Sequence, residues 1–302
     1  MPSGIIMKAL SGFYYVAPED RPHQTVQCRA RGIFKKRGIS PLVGDRVEYS
    51  VAETGEGTVD EIEPRSTELI RPPIANAEQA VLVFSVRRPV INLQLLDKFL
   101  AHVESVGLEP LLCFSKRDLL DGGDAEEEAE FYENTFRLYE NIGYRVISTS
   151  AKRGEGVEEV REALQGKLSV FAGQSGVGKS SLLNALFPGL QLETNEISEK
   201  LGRGKHTTRH VELIPLGNGG GFVADTPGFS QLDFMEIEAG ELGACFPEFA
   251  ALAEECRFRG CLHLKEPSCK VREASETGGV AESRYRNYLA FIQEIKERKP
   301  RY

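Results

Sequence analysis

The densest chemistry in this sequence lies in eight consecutive residues, Gly173-Gln174-Ser175-Gly176-Val177-Gly178-Lys179-Ser180. They match G-x-x-x-x-G-K-[ST]. In that pattern glycines let backbone N–H groups close around phosphate oxygens, and a helix N-terminus adds a favourable dipole. Lys179 is expected to reach the β- and γ-phosphates and Ser180 to bring its hydroxyl to Mg²⁺, with Ser181 completing the phosphate-binding set. Asp225-Thr226-Pro227-Gly228 follows the apolar Phe222–Ala224. An Asp at such a strand end holds Mg²⁺ through water, and the Gly228 amide can bond a γ-phosphate. Between the two motifs, the polar stretch 196–210 carries Thr207-Thr208. A switch loop needs a threonine there to cap Mg²⁺, and Thr208 joins Ser180 and Asp225 in the expected magnesium set.

Two shorter motifs address the base. Ser115-Lys116-Arg117-Asp118 follows the apolar Leu111–Phe114 and resembles the guanine-reading tetrad N-K-x-D, with Ser in place of Asn. Asp118 could accept from guanine N1–H and the 2-amino group, a pattern adenine cannot offer, while Lys116 could lie along the base plane. Ser150-Ala151-Lys152, after Tyr144–Ser148, resembles the S-A-K triad that supports guanine O6. Together they favour GTP over ATP. Their order is inverted: GTPases ordinarily place both motifs after the phosphate loop, and here they precede it. The spacing therefore predicts a circular permutation, which a sheet tolerates when the new ends are at the surface.

A third constellation is Cys256-x4-Cys261-x-His263-x5-Cys269, three thiols and an imidazole, the donor set of a closed structural Zn²⁺ site. With no open position, such a metal stabilises folding and does no catalysis. Cys28, Cys113 and Cys245 read as small core hydrophobes.

The elements that must position these groups fall into three textures. Residues 5–68 read as short β segments (Ile5–Val16, Thr25–Ile33, Arg46–Val51, Gly57–Ile62) divided by turns, the pattern of a small barrel, OB-like or SH3-like. Pro64 and Pro72-Pro73 read as a linker. From Ala80 the pattern alternates: strands at Ala80–Val86, Leu111–Phe114, Tyr144–Ser148 and Leu168–Ala172, and helices at Leu93–Val106, Ala125–Ile142, Val157–Leu164 and from Lys179. That alternation predicts a mostly parallel sheet covered by helices. Beyond Phe234 the texture is helical, around the cysteine cluster and a final helix Ala281–Lys299.

Charge follows the same division. The 302 residues carry 37 basic and 45 acidic side chains, a formal charge of −8. Residues 1–73 are neutral, 74–235 carry −7 and 236–302 carry −1, so the acidity that would argue against a nucleic-acid partner is confined to the middle. Seven acids fall within Asp121–Glu133, as expected of a solvated helix face. The flanks hold basic clusters: Arg29, Arg31, Lys35, Lys36 and Arg37, and a second from Arg257 to Arg272. Such local patches govern nucleic-acid affinity more than net charge does. The longest apolar run, Ala80–Val86, is broken by Ser85 and far short of the ~18 residues of a membrane span. Residues 1–10 lack a signal-peptide pattern, and the expectation is a cytoplasmic protein.

A small N-terminal β-barrel, permuted guanine-nucleotide motifs and the C-x4-C-x-H-x5-C knuckle, in this order, resemble the RsgA family, the small-subunit-dependent GTPases of bacterial ribosomes. The resemblance covers essentially the whole chain. It implies an α/β architecture with three parts. These are an OB-fold RNA-binding domain at 1–67, a circularly permuted P-loop GTPase domain with a mostly parallel sheet at 68–235, and a helical zinc-binding domain at 236–302. It further implies GTP hydrolysis stimulated by the 30S subunit, a role in its late maturation, and contacts to 16S rRNA from both flanking domains. The expected partners are GTP or GDP, with Mg²⁺, and the subunit; no membrane is involved, and the protein is expected to be monomeric. Phe229 stands where many GTPases place a water-orienting Gln, which predicts slow intrinsic turnover. The resemblance points to His206 as the water-positioning residue. The competing readings are an RNA-binding adaptor using GTP as a structural ligand, and a P-loop kinase or ATPase.

Overall fold

The computed structural model describes residues 1–18, 21–70, 72–122, 125–187, 211–217, 220–225 and 237–298. By contact density the chain forms two compact units. One comprises Met1–Val81, Gly156–Ser175 and Lys179–Ser230; the other comprises Leu82–Glu155, Gly176–Gly178 and Gln231–Tyr302.

The first unit opens with a closed barrel of β1 (Ser3–Leu10), β2 (Phe13–Ala17), β3 (Val26–Ala30), β4 (Arg46–Val51) and β5 (Gly57–Ile62). β1 pairs with both β2 and β4, β2 with β3, β3 in parallel with β5, and β5 with β4, so no edge is left within the ring. Its core is Ile6, Val16, Cys28, Val47 and Val59, all fully buried. The expected single segment Ile5–Val16 is a hairpin: Ser11 and Gly12 both take positive φ, 52° and 82°, as a two-residue turn between right-twisted strands requires. The expected strand Thr25–Ile33 stops at Ala30 and gives way to a short helix α1 (Gly32–Lys36). The expected linker is a paired ribbon, β6 (Glu68–Ile70) against β7 (Pro73–Ala75). Pro73 is tolerated there because it opens its strand on a two-stranded edge. Arg65 pins the ribbon to the barrel, its Nε and Nη2 lying 2.7 and 2.8 Å from the carboxylate of buried Asp45.

β8 (Gln79–Ser85) crosses from one unit into the other, all seven residues buried. In the first unit its start lies beside β11 (Leu168–Ala172), with Ser169 Oγ 3.2 Å from Gln79 Oε1. β11 runs parallel to β13 (Phe222–Asp225), and β12 (Glu212–Pro215) joins β13 to β1, antiparallel to both. α4 (Val157–Leu164) and α5 (Lys179–Leu186) flank these strands, joined by Arg161 Nη1 on the Leu186 carbonyl at 2.7 Å.

In the second unit β8 continues beside β9 (Glu109–Ser115), which runs parallel to β10 (Arg145–Ser148) in the register Leu111↔Arg145 to Phe114↔Ser148. Strands buried on both faces read as unbroken apolar runs, which made them visible in sequence. α2 (Leu93–Ser105), capped by the Asn92 side chain on the Leu95 amide, packs Phe99 edge-on against Phe84. α3 (Glu126–Ile142) turns Tyr132 and Tyr139 inward and leaves Glu126, Glu127, Glu130 and Glu133 in solvent, as the acidic run predicted. The C-terminal segment adds α6 (Pro247–Ala253), α7 (Lys270–Thr277) and α8 (Glu282–Glu297). They share a core of Phe246, Phe249, Val271, Tyr288 and Phe291 with Ala101 of α2.

Candidate nucleotide site and metal centre

The candidate phosphate-binding loop leaves the fully buried β11 and enters α5 at Lys179. Gly176 and Gly178, at φ 78° and 98°, take backbone conformations that turn successive amides inward at little steric cost. Lys179 is half-buried and its Nζ donates to the carbonyls of Gly173 and of Gln174, the latter at 2.8 Å. These are neutral acceptors, and burial pushes the ammonium pKa down to about 8. Ser180 is half-buried and Ser181 exposed, in the first turn of α5.

Residues 176–178 of this loop belong to the same unit as the two guanine-motif loops. Ser115 ends β9 and is 4% exposed; its hydroxyl bonds the Val177 carbonyl. Lys116, at φ 60°, does not extend freely into solvent: its Nζ donates to the Gly176 carbonyl at 2.5 Å and the Arg88 carbonyl at 2.7 Å. Asp118 is the second residue of a 3-10 turn (Arg117–Leu120), and its Oδ1 accepts from Ser150 Oγ at 2.7 Å. The two motifs, 32 residues apart, therefore meet directly. The Arg117 side chain is engaged elsewhere, stacked on Tyr132 and 3.3 Å from Asp121. Ala151 is half-buried and Lys152 exposed beside this junction.

His206, Thr207, Thr208, Gly228 and Phe229 lie outside the described residues, and Asp225 is described only as the last residue of β13. One contributor was missed by sequence reasoning: the Arg88 carbonyl, which accepts from Lys116 through the backbone and which no side-chain motif marks.

The second constellation does come together. One donor atom from each of Cys256, Cys261, His263 and Cys269 lies within 4.8 Å of the others. His263 Nδ1 is 3.4 Å from Cys269 Sγ and 3.8 Å from Cys256 Sγ. Burial, with the Cys269 thiol beside it, pushes the Cys261 thiol up to about 12, so it keeps its proton unless a cation displaces it. The loop is held from outside: Glu266 accepts the amides of Leu262, Leu264 and Lys265, and the Tyr285 and Tyr288 hydroxyls donate to the carbonyls of His263 and Leu262, both at 2.8 Å. Four converging soft and borderline donors with a braced backbone can hold a metal ion. Cys28, Cys113 and Cys245 are buried and are not among these donors.

Of the basic cluster, Arg29, Arg31, Lys35, Lys36 and Arg37 are all exposed. Arg31 Nε already lies 2.7 Å from the buried Asp60 carboxylate, and the Arg29 guanidinium stacks 4.8 Å over Phe13. On the metal loop Arg257 stacks on Phe258, which is 44% exposed. Among the described residues no helix is long and apolar enough to cross a membrane.

Comparison with known proteins matches residues 62–235 to the RsgA GTPase family and residues 3–59 to the RsgA N-terminal domain. The small ribosomal subunit biogenesis GTPase RsgA of Geobacillus thermodenitrificans is 56% identical over 302 residues, covering all of both chains. That of Bacillus subtilis is 54% identical over 303 residues, again covering both entirely. Among solved structures, the circularly permuted GTPase YloQ superposes with a TM-score of 0.83 at 49% identity, covering 100% of this chain and 97% of that one. YjeQ from Thermotoga maritima gives 0.86 at 39%, covering 98% and 99%.

Proposed function

The chain belongs to the RsgA GTPase family, and from that premise we propose that it hydrolyses GTP while bound to the small ribosomal subunit, assists late maturation of that subunit, and leaves it after hydrolysis. The observation that carries the reading is the hydrogen-bonded junction of three loops: Ser115 and Lys116 on the phosphate loop, and Ser150 on Asp118. These bonds support a reading in which Asp118 meets guanine and residues 176–178 take part in the phosphate cradle. The functional division follows the sequence motifs: 1–67 as an OB-fold RNA-binding part, 68–235 as the permuted GTPase, and 236–302 as the zinc-binding part.

Each residue has a definite task. Lys179 neutralises charge on the β- and γ-phosphates, and the inward amides of Gly173 to Gly178 complete the cradle. Ser180, Thr208 and Asp225 hold Mg²⁺, which supplies Lewis-acid stabilisation of the developing charge. Asp118 reads guanine N1–H and the 2-amino group while Ser150 fixes its rotamer; Ala151 and Lys152 support O6. The Gly228 amide senses the γ-phosphate, and His206 positions the attacking water. Cys256, Cys261, His263 and Cys269 bind one structural Zn²⁺. The exposed cations of Arg29 to Arg37 contact 16S rRNA, so binding weakens with salt. The protein works as a cytoplasmic monomer.

Phosphate release measured with added 30S, 50S and 70S particles tests the reading. Stimulation by 30S alone is expected; no hydrolysis with any particle would favour a non-catalytic RNA-binding adaptor. His206→Ala should abolish the stimulated rate at unchanged GTP affinity, and Asp118→Asn should shift preference toward xanthosine nucleotides. Metal analysis should return one zinc ion per chain.

A further inference from the structure

We propose that Ser115 is a positioning residue that ties the guanine loop to the phosphate loop and leaves guanine N7 unread, so that this chain binds GTP and its N7-lacking analogue equally well. The proposal rests on the guanine-nucleotide reading above and specifies which edge of the base is used.

The geometry is local. Ser115 closes the fully buried end of β9, and its side chain reaches two oxygens, the Val177 carbonyl of the phosphate loop and the Phe84 carbonyl of β8 at 3.3 Å. Carbonyl oxygens only accept, and a serine hydroxyl carries a single hydrogen, so that hydrogen is spent on the main chain. An Asn at this position would carry two N–H groups. One could satisfy the loop carbonyl and the other could face N7, the acceptor beside O6 on the edge opposite the one Asp118 reads. Substituting a hydroxyl keeps the first bond and removes the second.

The surroundings support positioning as the retained role. Lys116 makes a second tie to the same loop through Gly176, one residue before Val177. Both ties end on backbone, so each fixes where the loop runs without depending on which base is bound. Base selection is left to Asp118, whose carboxylate is oriented by Ser150, and to the O6 support assigned above to Ala151 and Lys152.

Dissociation constants of the full chain for GTP, 7-deaza-GTP and ATP, by calorimetric competition with Mg²⁺ present, test this. GTP and 7-deaza-GTP are expected to agree within about twofold, with ATP far weaker. Ser115→Ala should weaken GTP and 7-deaza-GTP by the same factor, because it loosens the loop. Ser115→Asn should create a preference for GTP over 7-deaza-GTP of about fivefold, the effect of one added hydrogen bond. A wild-type preference for GTP of fivefold or more over 7-deaza-GTP would overturn the inference, as would a selective loss of GTP affinity in Ser115→Ala. Equal binding of ATP would instead overturn the guanine reading itself. The wild-type ratio and the Ala variant decide the matter even if the larger Asn side chain fails to fit.

Discussion

Two cations withdrawn from water are treated in opposite ways. Arg284 of α8 is fully buried, and the chain supplies its counter-charges: Asp97 of α2 at 2.6 Å and Glu248 of α6 at 2.6 and 3.0 Å. Asp97 is satisfied in turn by the Tyr139 hydroxyl and Asn287 Nδ2, both at 2.6 Å, and the guanidinium lies 4.4 Å over Phe246. Although burial pulls the guanidinium down, the two carboxylates hold it well above its ordinary range. Among the described residues Lys179 has only neutral carbonyls on its ammonium, and burial leaves its pKa near 8. A buried cation whose anions belong to the same chain is architecture. One set against neutral oxygens has its electrostatics completed by something that binds.

The Cys256, Cys261, His263 and Cys269 cluster, as the proposed zinc site, takes that contrast to its extreme, because its four donors would be satisfied together only by an ion. Zinc removal is the largest effect expected here, since structural Zn²⁺ contributes roughly 10 kcal/mol or more of apparent folding free energy. A strong chelator, or Cys261→Ser, should abolish amide protection in α7 and α8, read by hydrogen exchange. Retained protection would mean that Tyr285, Tyr288 and Glu266 hold the loop unaided. Next comes Arg284→Met, which strands Asp97 in the core. Such single breaks cost about 3–5 kcal/mol, visible as a lower denaturant midpoint. Adding Asp97→Leu should return most of that loss, because a matched apolar pair demands no counter-charge.

These two regions were unequally legible in the sequence. The phosphate loop and the cysteine–histidine set are local, spaced by backbone rules, and could be placed by pattern; so could α4, by its helical periodicity, and β11, as a short apolar run. The Arg284 cluster joins residues 187 apart, and no spacing rule links them. Its one visible trace was Asp97 itself, an acid on the apolar face that carries Leu96 and Leu100. The ribbon at 68–75 was hidden by Pro72-Pro73, whose turn chemistry outweighed three-residue strands too short to show alternation. The two strands within Ile5–Val16 merged because Ser11-Gly12 is a weak signal for a turn that positive φ makes tight. The roles of Lys116 and Ser115 lay in backbone carbonyls, which sequence does not label.

On the other side of the comparison, Lys179→Ala should leave the denaturant midpoint unchanged or slightly raised, since it removes a half-buried charge that no anion among the described residues pairs with. GTP affinity should fall by about 30-fold or more, the effect of deleting one member of a desolvated charge pair worth about 2 kcal/mol or more. The pH dependence follows from the same group. Bound phosphate restores the ammonium's ordinary pKa, so above pH 8 binding must take up a proton. GTP affinity should therefore drop by up to about tenfold between pH 7 and pH 9. Nucleotide-free stability moves the other way. From pH 8 toward 10.5 the folded state binds fewer protons than the unfolded chain at Lys179, so this group's contribution to stability rises. An affinity flat across that range, by calorimetry in two buffers of different ionisation heat, would place another group against the phosphates.

The smallest effect separates burial from pairing as the source of the difference. Lys8 of β1 and Glu212 of β12 form a pair at 2.6 Å, as short as Arg284 with Asp97. Their side chains are 32% and 52% exposed, against 1% and 0% for the buried pair. Were pairing itself decisive, the two bridges would contribute alike. In water each partner keeps its hydration when the other is removed, and salt screens what attraction remains, so exposed pairs couple by about 0.2–1 kcal/mol. A double-mutant cycle with Lys8→Ala and Glu212→Ala should give a coupling in that range that shrinks with added salt. The cycle at Asp97 and Arg284 should give several-fold more and hardly respond to salt, because its cost is the charge left stranded in the core and not the attraction lost across a gap.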